Sequence, residues 1–379
     1  MLLTLIQNQF NKIISITNTF VEQPRWRIKL TFAVFFLSLF FTFPALDSYE
    51  KFNKQWEHIE NQSKNPFVMN DYESGSHASK LPFRLTPALS IRMLNLGKPG
   101  SIFLQYLSLF LFLIVLVFKG GKVIQDDVSL VFVVLAFSFS FVCSVIVSDS
   151  RGIFDGLAYF LILLTLLSTS FFSVMIFQFL ASFTDERALI ASSLVIIFFQ
   201  LRKVNPTNVS IVKFLKPTIQ TYGIIVSWVL YFAIRFYLHY AHGLETGTGR
   251  VLLIKEHFPI LYIGLWTGLE GLWVIIGAAI IYLVHYKKYF ILSSIIFCSS
   301  ILVFVAIGVI DTTRSMAYLF PLFFIGFMIL RNNESLKSIR YLCLISFIIC
   351  LVPTIYVEGK NVIWHFHSFP LRLIGYYLN

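Results

Sequence analysis

Charge is what this sequence has least of. Of its 379 residues only 13% are charged, and only 19 are Asp or Glu, whereas roughly a quarter of a soluble domain is charged. That scarcity excludes an ordinary soluble enzyme and points to a polytopic membrane protein. Cysteine is scarce as well. Cys143, Cys298, Cys343 and Cys350 all fall inside apolar runs without metal-ligand spacing, so they read as small hydrophobes and not as a disulfide framework or zinc site. Regular apolar–polar alternation is missing, which argues against a barrel. The chain contains no Walker sequence, no Gly-x-Ser-x-Gly and no His-Glu-x-x-His. Nucleotide-driven pumping, the usual serine hydrolase and the usual zinc protease are thereby set aside. No fixed-period repeat, low-complexity linker or soluble module is visible. The formal net charge is +11, but its basic residues are dispersed through short loops. That distribution fits topology and anionic lipid headgroups better than nucleic acid.

What the chain has instead is apolar length: 57% hydrophobic residues, 42 of them Phe. Runs that approach the ~20 residues needed to cross a bilayer as a helix recur throughout. The pattern predicts an all-α polytopic membrane protein. Spans are expected near 30–45, 102–118, 128–147, 155–168, 169–183, 188–201, 220–240, 259–284, 289–310, 315–330 and 341–357, about eleven in a range of nine to twelve. The segments 155–168 and 169–183 are too short to cross singly and are expected to form a hairpin. Arg25, Arg27 and Lys29 precede the first run, which predicts an uncleaved first span entering from the cytoplasm. Residues 1–29 are then a cytoplasmic N-terminal segment, 30–357 a single transmembrane domain and 358–379 an outer C-terminal tail. Lys119, Lys122, Arg202, Lys203, Lys213, Lys216, Lys287, Lys288, Arg331, Lys337 and Arg340 fall in inside loops, while most carboxylates fall outside.

The largest outer segment is 47–100. It is polar as far as residue 79, and then Leu85, Leu89 and Met93 alternate with Arg84 and Arg92. That spacing predicts an interfacial helix near 82–97. A second outer loop, 241–258, carries Gly243, Gly247 and Gly249 and is expected to be mobile.

Four outer constellations hold groups that could do chemistry. Asn70-Asp71-Tyr72-Glu73, followed by His77, Lys80 and Arg84, offers carboxylates able to act as a general base; the plainer reading is a solvated loop. Arg84 lies between Pro82 and Pro87, where a guanidinium can fork onto phosphate. Asp149-Ser150-Arg151-Gly152-Ile153-Phe154-Asp155 packs charge into a short turn. Asp155 can simply cap a helix, or pair with Arg151. Thr184-Asp185-Glu186-Arg187 and Asp311-Thr312-Thr313-Arg314 repeat the acid-and-arginine theme, and each can be a local pair. His257 can bind phosphate or carry a proton. His365 and His367 have no further ligands nearby in sequence. Glu270 lies within an expected span and is expected to have a partner, with Arg235 the candidate.

At these residues the chain resembles the GT-C superfamily of membrane glycosyltransferases, in particular its less-characterised bacterial members. The stretches that carry the likeness are Phe83-Arg84-Leu85-Thr86-Pro87-Ala88-Leu89, Arg151-Gly152-Ile153-Phe154-Asp155-Gly156-Leu157, Thr184-Asp185-Glu186-Arg187-Ala188-Leu189, and Arg314 through Pro321. The resemblance implies a polyprenyl-phosphate-linked sugar as donor, an envelope glycan or lipid as acceptor, and a site at the outer face of the bacterial inner membrane. It implies Arg84, Arg151, Arg314 and His257 at the donor phosphate, with Asp155, Asp185, Glu186 and Asp311 as supporting acids. The base would be Asp71, Glu73 or Asp47. A divalent metal, Mg or Mn, could use the outer carboxylates, though no spacing demands one. Membrane lipid is an expected partner and nucleic acid is not; protein partners are unspecified. The alternatives are a surface-polysaccharide polymerase, a non-catalytic envelope scaffold or a lipid transporter. Transporters commonly show repeats and midplane charges, and here no repeat is seen and only Arg235 and Glu270 fall at mid-span.

Overall fold

The computed structural model describes residues 2–42, 49–50, 52–68, 81–203, 211–244, 258–309, 311–352, 355–358 and 361–364. Helix dominates. Helices α1 (Leu2–Val21) and α2 (Trp26–Thr42) lead to α3 (Asn53–Lys64) and α4 (Leu85–Met93). Helix α5 (Lys98–Val115) passes through a π-helical turn, Leu116–Gly120, into α6 (Gly121–Ile124). There follow α7 (Asp127–Phe139), α8 (Phe141–Ser148), α9 (Asp155–Leu167), α10 (Phe171–Ser182), α11 (Glu186–Lys203), α12 (Ile211–Leu215) and α13 (Ile219–His242). The last third holds α14 (Leu261–Leu269), α15 (Trp273–His285), α16 (Tyr289–Ile307), α17 (Thr312–Ala317), α18 (Pro321–Arg331) and α19 (Leu336–Cys350). A short antiparallel pair, β1 (Ile355–Glu358) and β2 (Asn361–Trp364), closes the described chain, with Ile355 opposite Trp364 and Glu358 opposite Asn361.

The architecture is consistent with an all-α membrane protein. Among the described residues, five helical stretches are long and apolar enough to cross a membrane, or six if the bent pair α7–α8 is one span; the sequence pattern predicts about eleven. The difference lies in short helices. Helix α2 has 17 residues and α19 only 15, and α11 ends in Arg202 and Lys203. The expected span 341–357 stops as a helix at Cys350, and Ile355–Glu358 within it is the strand β1.

Two expected spans are broken. The run 128–147 bends by 44° at Ser140, between α7 and α8. The run 259–284 breaks between α14 and α15, where Glu270 takes a positive φ of 50°. The breaks face each other: the Phe141 N–H donates to Glu270 Oε1 at 3.1 Å. Backbone groups freed by the second break find side chains, as a lipid-embedded break must. Ser346 Oγ donates to the Gly271 carbonyl at 2.8 Å, and Trp273 Nε1 to the Leu265 carbonyl at 2.8 Å. Glu270 is thus engaged by a helix break. Arg235, its expected partner, instead donates to the Tyr231 hydroxyl and lies over the Phe83 ring, 4.4 Å from its centroid.

Helices α17 and α18 form the inner pillar, buried without a break from Thr312 to Leu330, whereas α16 is mostly exposed or half-buried. Phe112, Phe137, Phe320, Phe323 and Phe324 pack edge-to-face or tilted around this pillar, the geometry aromatic quadrupoles prefer. Helix α14 approaches α17 closely because Gly268 has no side chain: a Cβ there would stand 2.5 Å from that of Met316. Helices α13 and α16 turn Val229, Phe232, Phe236, Tyr240, Phe297 and Phe304 outward. Such apolar surface suits lipid.

The bundle has two chemically different ends. At one, Arg27 pairs with Asp127 at 2.9 Å and Arg340 with Asp126 at 2.7 Å. Four helices begin with a side-chain cap: Asp126 accepts from Ser129 N, Ser170 from Ser173 N, Thr218 from Thr221 N and Ser335 from Ser338 N. These caps satisfy N–H groups that have no intrahelical partner. The other end carries the candidate site.

Candidate functional site

Helices α9 and α10 fold back on each other as a hairpin. Each is only 13 and 12 residues long, roughly 20 Å at 1.5 Å per residue, well short of a ~30 Å hydrocarbon core. The turn between them is tied to the start of α13, since Gln220 Nε2 donates to the Thr169 carbonyl at 2.6 Å. The open end brings Asp155, Asp185 and Arg187 together. Beside it, Phe183 packs on Tyr231 with ring centroids 4.8 Å apart. Helix α13 runs on to His242, roughly 16 Å further along its axis. The hairpin's open end is therefore recessed below the end of a neighbouring helix.

Charged side chains from four parts of the sequence alternate there in one buried ladder. Arg84 Nη2 meets Asp185 Oδ2 at 2.7 Å. Arg187 grips the same carboxylate, Nε to Oδ1 and Nη2 to Oδ2, both at 2.7 Å. Arg187 Nη2 also reaches Asp155 Oδ1 at 3.1 Å. Arg314 Nε pairs with Asp155 Oδ2, and Arg314 Nη1 with Asp311 Oδ2 at 2.6 Å. Arg151 Nη2 ends the series, 3.8 Å from Asp311 Oδ2, the longest of these links. Asp155 and Asp185 are sealed from solvent, whereas the Arg151 side chain is 33% exposed.

Neutral groups complete the network. The Tyr318 hydroxyl donates to Asp155 Oδ1 at 2.9 Å, and the Tyr318 ring lies under Arg187, 4.8 Å from the guanidinium carbon. Arg187 Nη1 donates to Ser315 Oγ at 2.9 Å. Tyr356, carried by β1, donates its hydroxyl to Asp311 Oδ1 at 2.7 Å, and the Val357 N–H donates to Thr313 Oγ1 at 2.9 Å. The C-terminal strand is thereby fastened to the ladder.

Arg151 is presented by a loop that Asp149 shapes. Asp149 accepts from the N–H groups of Arg151, Ile153 and Phe154 at 3.0, 2.8 and 3.1 Å, and from Gln105 Nε2 at 2.7 Å. Trp56 Nε1 donates to the Ser150 carbonyl at 2.9 Å. The loop needs glycine at position 152: φ is +69°, and a Cβ would lie 2.3 Å from Ile59 Cδ1.

Burial alone would raise the carboxyl of Asp185, but Arg187 and then Arg84 outweigh it and hold the group far below the ordinary carboxylate range. Burial opposes ionisation of Asp311 too. Arg314, Arg151 and the Tyr356 hydroxyl overcome it and lower its pKa to about 2.

Of the residues expected in a site, Arg84, Arg151, Arg314, Asp155, Asp185 and Asp311 converge here. Glu186 opens α11 next to the ladder, half-buried. Asp47, Asp71, Glu73 and His257 lie outside the described residues, as do His77, Lys80, Gly247, His365 and His367. The Arg151–Asp155 pairing does not form; each residue is held by partners distant in sequence. Asp311–Arg314 and Asp185–Arg187 do form local pairs, as links in the longer ladder. Sequence reasoning named Arg187 and Asp149 only as members of charged turns and missed Arg187 as the hub, along with Tyr318 and Tyr356. Arg187 had a signal, an arginine inside the same acidic turn. The tyrosines had none. The ladder carboxylates do not fit a divalent cation, because each already faces guanidinium groups that would repel it. No group of three or more metal-ligating residues occurs among the described residues.

Compared with protein-family models, curated proteins and solved structures, the chain gives no match in any of the three.

Proposed function

We propose that this chain is a GT-C-type glycosyltransferase of the bacterial inner membrane, using a polyprenyl-phosphate-linked sugar at the outer face. What carries this reading is the convergence of Arg84, Arg151 and Arg314, from segments far apart in sequence, on one recessed network. Guanidinium groups fixed in a dry site are already oriented when charge develops on a leaving phosphate, and such preorganisation is a strong catalytic lever. A lipid headgroup approaching sideways would meet the ladder at its partly exposed end, Arg151.

In this scheme the bond from the sugar's anomeric carbon to phosphate oxygen breaks, and its electron pair leaves with the polyprenyl phosphate. A bond from the same carbon to the acceptor hydroxyl oxygen forms. The hydroxyl proton passes to a carboxylate, for which Asp47, Asp71 and Glu73 are the candidates.

The test is transfer of radiolabelled sugar from a polyprenyl-phosphate donor to envelope extract by the full chain in lipid vesicles. Wild-type protein should transfer label, and Arg151→Ala, correctly inserted, should lose most of the rate. Absence of transfer by wild-type protein with any of several donor sugars, or an undiminished rate in Arg151→Ala, would overturn the reading. A ladder of lengthening products instead of single additions would reassign the chain to polysaccharide polymerisation.

A further inference from the structure

We infer that Arg187 is the positioning residue of this site: it never meets the donor, yet it sets where Arg84 and Arg314 stand and how much positive field they retain. The inference rests on the phosphate-binding reading just given.

Arg187 is turned entirely inward. It is only 6% exposed, and the edges of its guanidinium are engaged. Nε and Nη2 fork onto Asp185, Nη2 reaches Asp155 and Nη1 donates to Ser315. Tyr318 covers one face. Four of its five N–H donors are committed within the protein and the group is buried, so its influence on a substrate passes through its two carboxylates.

Those carboxylates are shared in a fixed pattern. Asp185 Oδ1 accepts from Arg187 Nε and from the Arg187 N–H at 2.9 Å, while Oδ2 is divided between Arg187 and Arg84. Asp155 Oδ1 accepts from Arg187 and Tyr318, leaving Oδ2 to Arg314. Arg187 therefore does two things. Its fork fixes the orientation of Asp185, and through it the position of Arg84. Its charge half-neutralises both carboxylates, so that Arg84 and Arg314 are not fully cancelled by their partners and keep attraction for an anion. Lysine can supply the second property but not the first, because an ammonium is a point charge without a planar fork.

The experiment uses full-length protein in lipid nanodiscs and titrates a polyprenyl phosphate, with affinity measured per folded molecule well below the melting temperature. Wild-type protein should bind. Arg187→Lys should bind about tenfold more weakly, the size of one charge-assisted hydrogen bond, and Arg187→Met more weakly still. A role confined to stability would lower the melting temperature and leave affinity unchanged. If Arg187→Lys fails to fold, Ser315→Ala, which removes only the acceptor of Arg187 Nη1 and leaves both carboxylates and Arg84 in place, should fold with weakened binding. Equal affinity in a folded variant, with wild-type binding intact, overturns the positioning role alone. Failure of the wild-type protein to bind overturns the phosphate reading on which it rests.

Discussion

Arg187 and Asp185, two positions apart, are joined three times: by Nε to Oδ1, by Nη2 to Oδ2, and by the Arg187 N–H to Oδ1, all between 2.7 and 2.9 Å. The side-chain fork and the backbone bond act on one carboxylate, so the turn that starts α11 and the hub of the charged ladder are a single structure. A helix start carries surplus N–H groups and favours an anion. Asp185 meets that need while collecting two arginines.

Removing Asp185 should therefore be costly. In Asp185→Ala, Arg84 and Arg187 lose a shared partner in a buried setting. Breaking one side of a buried ion pair costs ~3–5 kcal/mol. Thermal unfolding in mild detergent should show a large drop in melting temperature, with a smaller one for Asp185→Asn, which keeps a carbonyl acceptor. Equal melting of Asp185→Ala and wild type would mean that the ladder contributes nothing to stability.

The Asp311 carboxyl gives a pH signature. Its folded pKa, about 2, lies below the ordinary value of 3.8. Its contribution is therefore complete above the ordinary value and lost as pH falls through about 2. That depression corresponds to roughly 2 kcal/mol. Between pH 6 and pH 2 the stability gap between wild type and Asp311→Asn should close. Parallel pH curves for the two proteins would contradict the assignment.

Two glycines should respond oppositely to alanine. Gly152→Ala must take a positive φ and displace Ile59, so a loss of roughly 1–3 kcal/mol is expected. Gly277, inside α15, has open space where a Cβ would stand, with nothing within 4 Å, and alanine there should stabilise by roughly 0.5–1 kcal/mol. Denaturation of the two variants side by side checks both signs.

Glu270→Gln should be tolerated, because an amide oxygen can still accept from the Phe141 N–H. Glu270→Leu removes that acceptor at a helix break with little solvent, where a lost hydrogen bond costs ~1–3 kcal/mol. Hydrogen exchange at Phe141 and its neighbours reads this directly: it should accelerate in the leucine variant and stay near the wild-type rate in the glutamine variant.

Much of the helical layout was legible from the length of apolar runs, including the α9–α10 hairpin, because its two runs were too short to cross singly. The span count was less legible, since apolar length overstates helix length where the chain breaks. Ser140 and the Gly268–Gly271 stretch, each in mid-run, were the available signs of those breaks. In the site, the neighbouring pairs Asp185–Arg187 and Asp311–Arg314 could be suspected from spacing. Arg84–Asp185 and Arg187–Asp155 could not, because they depend on how separate helices dock. Arg235 and Glu270 looked like partners only as the charges left within expected spans. In the fold each meets a local need, a tyrosine hydroxyl for one and a helix-break N–H for the other.

The ladder also orders the protein's birth. Asp155, Asp185 and Arg187 leave the ribosome together on one helical hairpin, but Arg314, which holds the second oxygen of Asp155, follows only after α13 to α16, and Tyr356 later still. A hairpin inserted early must wait for the final quarter of the chain before its charges are fully matched. Nascent chains that stop short of Arg314 would hold Asp155 by one oxygen only, through Arg187, with the other facing no guanidinium.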